Sequence, residues 1–166
     1  MSRPAQPDLH DSYTRQILDL VQRDGRISVQ AIADRLSLST APCWRRLNEL
    51  ESSGVIRRYA ALVDRRRLGL HACMFVQVTL DNHAARIVEA FERAMHAHAE
   101  ILECWVITGG VDYLLKIYVP DALAYDRFVH RVLFKLEGVR HLHTLAALRE
   151  VKNETGLDTN LLDPGR

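Results

Sequence analysis

The spacing of apolar positions changes once along this chain. Over residues 12–53 it is helical. Tyr13, Ile17, Leu20 and Val21 fall on one face of a helix expected from Ser12 to Arg23, capped by Asp11 and stopped by Gly25. Val29, Ile32, Ala33 and Leu36 form the stripe of a second helix, capped by Ser28. A tight Ser37-Leu38 link leads to Ser39, a cap for a third helix with Pro42 in its first turn, where a missing N–H costs little. Cys43, Leu47 and Leu50 share its inner face, and Gly54 ends it near Ser53. VIRRYAALVD (residues 55–64) is short and rich in β-formers, and predicts a two-stranded wing.

Beyond residue 71 the pattern alternates. Strands are expected over Ala72–Leu80, Ile101–Thr108, Asp112–Val119 and Val139–Val151, with helices over Ala84–Ala99 and from the Asp121 cap to about Leu136. Gly109, Gly110 and Val111 make the turn between the middle strands, and Pro120 breaks the third. The order βαββαβ is ferredoxin-like. The fold class is therefore α+β, a winged helix-turn-helix followed by a ferredoxin-like domain. The expected divisions are 1–63, a linker 64–71 and 72–166. The two helices cover one sheet face. The other also carries apolar residues, and a domain this small buries such a face only against a partner, which predicts a dimer.

Charge sharpens the division. Residues 1–67 hold twelve Lys+Arg against eight Asp+Glu; the remainder holds ten against thirteen. Only the N-terminal end is suited to a polyanion. Two short helices joined by a tight turn predict a helix-turn-helix, whose second helix enters a major groove of duplex DNA by its N-terminal end; a three-helix protein-interaction module is the alternative. There Ser39 and Thr40 lie at the tip, and Ala41, Arg45 and Asn48 face away from the core. Arg45 can read guanine bidentately or clamp phosphate, and Arg46 is expected at phosphate. Trp44 lies between the two faces. Core packing is its expected role, although it borders the reading surface. Arg57 and Arg58 either reach phosphates from the wing or guard a solvated strand edge. The three arginines at 65–67 either touch DNA or form a soluble hinge.

These features resemble the leucine-responsive/asparagine-regulator (Lrp/AsnC) family of bacterial and archaeal regulators. Five segments carry the likeness: IL-x2-VQRDGRIS (17–28), AIADRLSLSTAPCWRRLNELESSGVIRRY (31–59), LVDRRRLG (62–69), ECWVITGGVDYLLKIYVPD (103–121) and LEGVRHLHTLAALREVK (136–152). The resemblance implies a transcription regulator, cytoplasmic and nucleoid-associated when on DNA. Its dimers form through the sheet and stack into octamers, and a small effector, usually an amino acid, lies between dimers near the glycine turn. It places that effector near Val106, Thr108, Gly109, Gly110, Asp112, Tyr113, Ala122, Leu145 and Ala146. Glycines admit a carboxylate to backbone N–H groups, and the Asp112 carboxylate can pair with an ammonium; a zwitterion needs both. A plain hairpin turn with Asp112 in local hydrogen bonds is the alternative. The chain departs from the family in two places. Where relatives have Leu-Asp-x-x-Asp before the first helix, it has His10-Asp11-Ser12-Tyr13-Thr14, and many relatives carry an acid where Gly110 stands.

The rival reading is a siroheme-decarboxylase-like tetrapyrrole enzyme on the same two-domain plan, using histidines such as His96, His98, His141 and His143. Intact arginines on the third helix favour the regulator. No GxSxG, HExxH, P-loop or GxGxxG occurs, and Cys43, Cys73 and Cys104 are widely spaced. No catalytic residue, cofactor, metal or membrane partner is expected.

Overall fold

The computed structural model describes residues 7–162. Its first helix, α1 (Ser12–Arg23), starts where the Asp11 carboxylate accepts the Thr14 N–H at 3.0 Å. The buried face of α1 differs from the expected one. Ile17, Leu18 and Val21 are inside with Thr14, whereas Tyr13 is 38% exposed. Thr14 tolerates burial because its hydroxyl donates to the same Asp11 oxygen at 2.8 Å. Ser28 caps α2 (Val29–Leu36) through the Ala31 N–H. The link to α3 (Thr40–Ser52) turns on Ser37, which adopts the left-handed conformation at φ 54° while Leu38 N–H returns to Ala33 C=O. Ser39 occupies the cap position of α3, but its side chain makes no capping bond. Ile17, Ile32, Ala33, Cys43 and Leu50 close this small core.

The expected wing does not form as strands: residues 55–64 pair with nothing in a sheet. Two arginines and no turn signal give this stretch no hairpin of its own. Tyr59 folds back, donating its hydroxyl to Glu51 Oε1 at 2.7 Å. The linker is a built turn rather than a loose hinge. Asp64 accepts the Arg66 N–H, and the Arg65 guanidinium donates to the carbonyls of Leu70 and His71 while lying 4.7 Å from the Tyr118 ring centre.

The second unit is a four-stranded antiparallel sheet of β1 (Ala72–Leu80), β2 (Ile101–Val106), β3 (Tyr113–Val119) and β4 (Val139–Ala146), in the order β2-β3-β1-β4. Helices α4 (Ala85–Ala97) and α5 (Ala122–Arg131) cover one face. Met74, Val76, Val78 and Leu80 of β1 and Tyr113, Leu115, Ile117 and Val119 of β3 point to them and meet Ile87, Phe91, Met95, Phe128 and Leu133. The alternate residues Phe75, Gln77 and Thr79, with Leu114, Lys116 and Tyr118, form the opposite face. Helix α5 stops short of Leu136, passing through a 3₁₀ turn over Leu133–Lys135, and β4 ends five residues before the expected Val151.

Gly138 shows how tight this packing is. At φ 84° it approaches Ile87 so closely that a Cβ would lie 2.4 Å from Ile87 Cγ2.

The chain divides into two compact units. Residues 63–151 form the sheet unit, and the described part of the tail, 152–162, packs with the helical unit instead of closing a 72–166 domain. The reason is specific polar pairing. The Gln22 side chain accepts the Leu157 N–H at 2.7 Å and donates to its carbonyl at 3.0 Å. The Thr159 hydroxyl, buried with its residue, donates to Asp19 at 3.0 Å.

Two expected outcomes follow from these contacts. Gly138→Ala should destabilise the sheet unit by about 1–3 kcal/mol through overpacking and strain, read from urea unfolding. Gln22→Ala should release the tail, seen as faster amide exchange at Leu157 with little change in global stability.

Candidate DNA-reading helix and effector turn

Helix α3 presents an outer surface because Cys43 and Leu50 turn inward. Ser39, Thr40, Ala41, Trp44, Arg45 and Asn48 are all exposed. Trp44 corrects the expectation of core packing: it is 59% exposed. Thr40, Trp44 and Asn48 stand one turn apart in a row, with Ala41 and Arg45 alongside. Such a strip combines an apolar plate, a guanidinium and an amide, the groups that meet thymine methyls, guanine edges and adenine edges in a major groove. Arg57 and Arg58 are exposed on the segment that follows.

Arg46 does not join that surface. Its Nε donates to Asp11 Oδ2 at 2.9 Å, its guanidinium carbon lies 5.8 Å from the Tyr13 ring centre, and its side chain is 20% exposed. It ties α3 to the cap of α1 and is not aimed at a phosphate. Hydrogen bonding from Arg46 above all, and then from Thr14, holds the Asp11 carboxyl below the usual carboxylate range. The missed participants are therefore Asp11, Tyr13 and Thr14. The signal was present in the departure at residues 10–14, where a threonine occupies the second acidic position, but its partner lies 35 residues away.

The glycine turn lies between β2 and β3. Gly109 takes φ 131°, which favours glycine, and Thr108, Gly109 and Gly110 are exposed. Asp112 fastens the turn to the end of β1. Its N–H donates to Val78 C=O at 2.9 Å, its Oδ2 accepts the Leu80 N–H at 2.7 Å, and its Oδ1 meets His83 Nε2 at 2.8 Å. The Leu80 N–H first, then His83, keeps this carboxyl below its ordinary range. Local hydrogen bonding at Asp112 is thus real. His83 was not foreseen, because it follows β1 in a loop whose approach to Asp112 is tertiary.

The other expected effector residues separate. Tyr113 is buried on the helix side, where its hydroxyl donates to Glu92 Oε1 at 3.1 Å; burial foremost pushes its phenol up to about 12. Val106 is exposed at the β2 edge, beside a cavity of about 220 Å³ that Glu92, Met95, His96, Leu102 and Cys104 also line. Burial pushes the Cys104 thiol up to about 11, which leaves it a poor nucleophile. Leu145 and Ala146 pair with Phe75 and Met74, near the start of β1. Ala122 follows β3, whose Val119 pairs with Ala72 at that same end. The glycine turn stands at the other end, about 16 Å away along β1 at 3.3 Å per residue. One chain therefore holds two half-sets of the expected residues at opposite ends of its sheet.

The histidines of the rival reading are also dispersed. His141 and His143 lie on the uncovered sheet face, His143 Nδ1 facing Gln77 Oε1 at 3.1 Å, while His96 lines the cavity and His98 meets the Phe128 ring edge-on. Among the described residues no group of three His, Cys, Asp or Glu could hold a metal ion.

A helix-turn-helix joined to an antiparallel ferredoxin-like sheet defines a two-domain regulator. Residues 10–57 match the winged helix-turn-helix DNA-binding family, and residues 73–157 match the Lrp/AsnC ligand binding domain. The leucine-responsive regulatory proteins of Salmonella typhimurium and Escherichia coli are each 38% identical to the chain over 147 residues, covering 89% of it and 90% of them. A transcriptional regulator of Neisseria meningitidis, solved as a complex with L-Met, superposes with a TM-score of 0.88 at 34% identity, covering 92% of this chain and 98% of that one. An AsnC family transcriptional regulator from Agrobacterium tumefaciens gives 0.87 at 34% identity, covering 92% and 99%. This chain belongs to the Lrp/AsnC family of transcription regulators. No helix among its described residues is long and apolar enough to cross a membrane.

The arginine assignments separate in a salt titration of DNA binding. Arg45→Gln should lower the slope of log affinity against log salt by about one if its guanidinium clamps a phosphate, and should relax sequence preference if it reads a base. Arg46→Gln should weaken binding with the slope unchanged, because it loosens the helix and removes no contact to the duplex.

Proposed function

We propose that the protein binds operator DNA through the outer strip of α3 and that an amino acid bound between dimers adjusts that binding. The observation that carries the reading is the division of α3: Trp44, Arg45 and Asn48 are exposed together, while the neighbouring Arg46 is used internally. A helix packed as a mere structural element has no need of an exposed indole beside an unengaged face. Ser39, Thr40 and Ala41 allow close approach at the tip, and Arg57 follows as a phosphate contact.

The effector part of the proposal rests on the split of the candidate residues. A zwitterion held by Thr108, Gly109, Gly110 and Asp112 takes its side-chain contacts from Val106 of that end and from Ala122, Leu145 and Ala146 of another protomer. The L-Met complex of the Neisseria relative supports an amino acid as the class of ligand. We further propose a dimer formed through the uncovered sheet face, where Phe75, Leu114 and Trp105 stand among polar neighbours, with assembly toward an octamer bringing the two half-sets together. Two α3 helices in a dimer then meet successive major grooves, so operators are imperfect palindromes. The amino acid changes DNA affinity only so far as it binds one assembly better than another. The relatives act as named regulators, and no residue here is assigned a catalytic step.

The test is a gel shift on the DNA upstream of the protein's own gene. Arg45→Ala should weaken specific binding about 5- to 150-fold, the equivalent of about 1–3 kcal/mol, with an unchanged circular dichroism spectrum. Unaltered operator affinity would remove α3 from the groove. In parallel, Leu114→Glu should shift the protein to monomer in light scattering; an undisturbed assembly would place the interface elsewhere.

A further inference from the structure

The chain enters the sheet unit through a turn that one arginine fastens down. Residues 64–70 close on themselves. Asp64 Oδ1 accepts the N–H groups of Arg66 and Arg67, and the Leu68 N–H returns to Asp64 C=O in the helical manner. At the far end the Leu70 N–H bonds Arg65 C=O and the Gly69 N–H bonds Arg66 C=O, with Gly69 at φ 80°. These bonds make the turn a firm piece, but none of them reaches a strand. The Arg65 side chain does. Its Nη1 donates to Leu70 C=O at 2.8 Å and to His71 C=O at 3.1 Å, just before β1, and its guanidinium carbon lies 4.7 Å from the centre of the Tyr118 ring on β3. Of residues 64–68 only Arg65 is not exposed, whereas the Arg67 side chain nearby is 88% exposed.

On the helical side the chain is held at Tyr59, whose hydroxyl donates to Glu51 of α3. Between the two fastenings Ala60, Ala61, Leu62 and Val63 are exposed and make no hydrogen bond to a described residue. This free span reaches at most about 14 Å. Were the turn released from Tyr118, residues 64–69 would lengthen it by about 9 Å at the helical rise. The other covalent path between the units, residues 148–156, reaches about 30 Å at full stretch and restrains less.

We propose that Arg65 determines operator spacing: by fastening the turn to β3 it keeps the tether of each reading helix short, and so restricts a dimer to half-sites a set distance apart. This rests on the reading that a dimer presents two α3 helices to successive major grooves. Arg65 is a positioning residue and makes no phosphate contact, because its guanidinium is engaged by two carbonyls and a ring. Two base pairs inserted between half-sites part them by about 7 Å and turn one against the other by about 70°. A short tether cannot follow that change, so the second helix loses its site and the gain from binding both is lost. A tether about 9 Å longer on each side recovers much of it.

The test is a fluorescence anisotropy titration of the full-length protein on two duplexes. One is a palindrome selected from random DNA by the unaltered protein; the other is the same palindrome with two base pairs inserted at its centre. The insertion should weaken the unaltered protein about tenfold or more, and Arg65→Ala only about threefold or less. On the uninserted duplex Arg65→Ala should keep the slope of log affinity against log salt, a readout that loss of a phosphate contact would move. Arg65→Met, which keeps an apolar stem on the Tyr118 ring and gives up both carbonyl bonds, should relax spacing in part, and it decides the matter if circular dichroism shows the alanine variant unfolded. Arg67→Ala, on the same turn but not on the sheet, should keep the spacing preference of the unaltered protein. If Arg65→Ala loses as much on the insertion as the unaltered protein, or lowers the salt slope by about one, the spacing role is overturned and the paired reading stands. Equal relaxation in Arg67→Ala also overturns it, since the fastening to Tyr118 is then not the cause. If the unaltered protein binds both duplexes equally, the paired reading fails and the role of Arg65 falls with it.

Discussion

A four-stranded sheet has two faces, and this chain owns enough helix to cover one. That imbalance organises the sensing unit. Phe91, Phe128, Leu115 and Ile117 fill the covered side to near-complete burial. Phe75, Leu114 and Trp105 are left on the other among Gln77, Lys116 and His143. The mixture is too apolar to be a comfortable solvent face and too polar to be a core, which is the composition the proposed dimer interface requires. The same geometry explains the division of the candidate effector residues. Antiparallel pairing puts the β2–β3 turn beside the end of β1 and the end of β4 beside its start, so a ligand touching both requires a second sheet.

Arginine usage follows a comparable logic in the helical unit. Arg45 and Arg46 are adjacent in sequence, but a step of 100° around α3 sends one outward and the other toward Asp11 and Tyr13. An arginine held by a carboxylate at the cap of another helix is a strut, and its guanidinium is spent. The basic N-terminal charge balance therefore overstates what reaches a polyanion. Arg65 is a second case, since it serves the carbonyls of its own turn and the face of Tyr118. The tail adds a further constraint. Through Gln22 and Asp19 it packs on the helical unit and not on the sheet unit that precedes it in sequence.

Local pattern alone determined a good deal of this protein. The starts of α1 and α2, the alternation of β1 and β3, the βαββαβ order and the exposure of Ala41, Arg45 and Asn48 on α3 were all legible, because caps, helical spacing and strand alternation act over a few residues. Tertiary structure decided the rest. Trp44 went outside, since Cys43 and Leu50 fill the inner face. Thr14 went inside, since Asp11 satisfies its hydroxyl. The wing found no strand partner, and the tail left the domain its sequence position implied. Arg46 and His83 acquired roles from carboxylates 35 and 29 residues distant. Periodicity reports which side of an element is buried. It carries no information about which two distant side chains will share a proton or a charge, because that depends on the packing of the elements and not on their spacing.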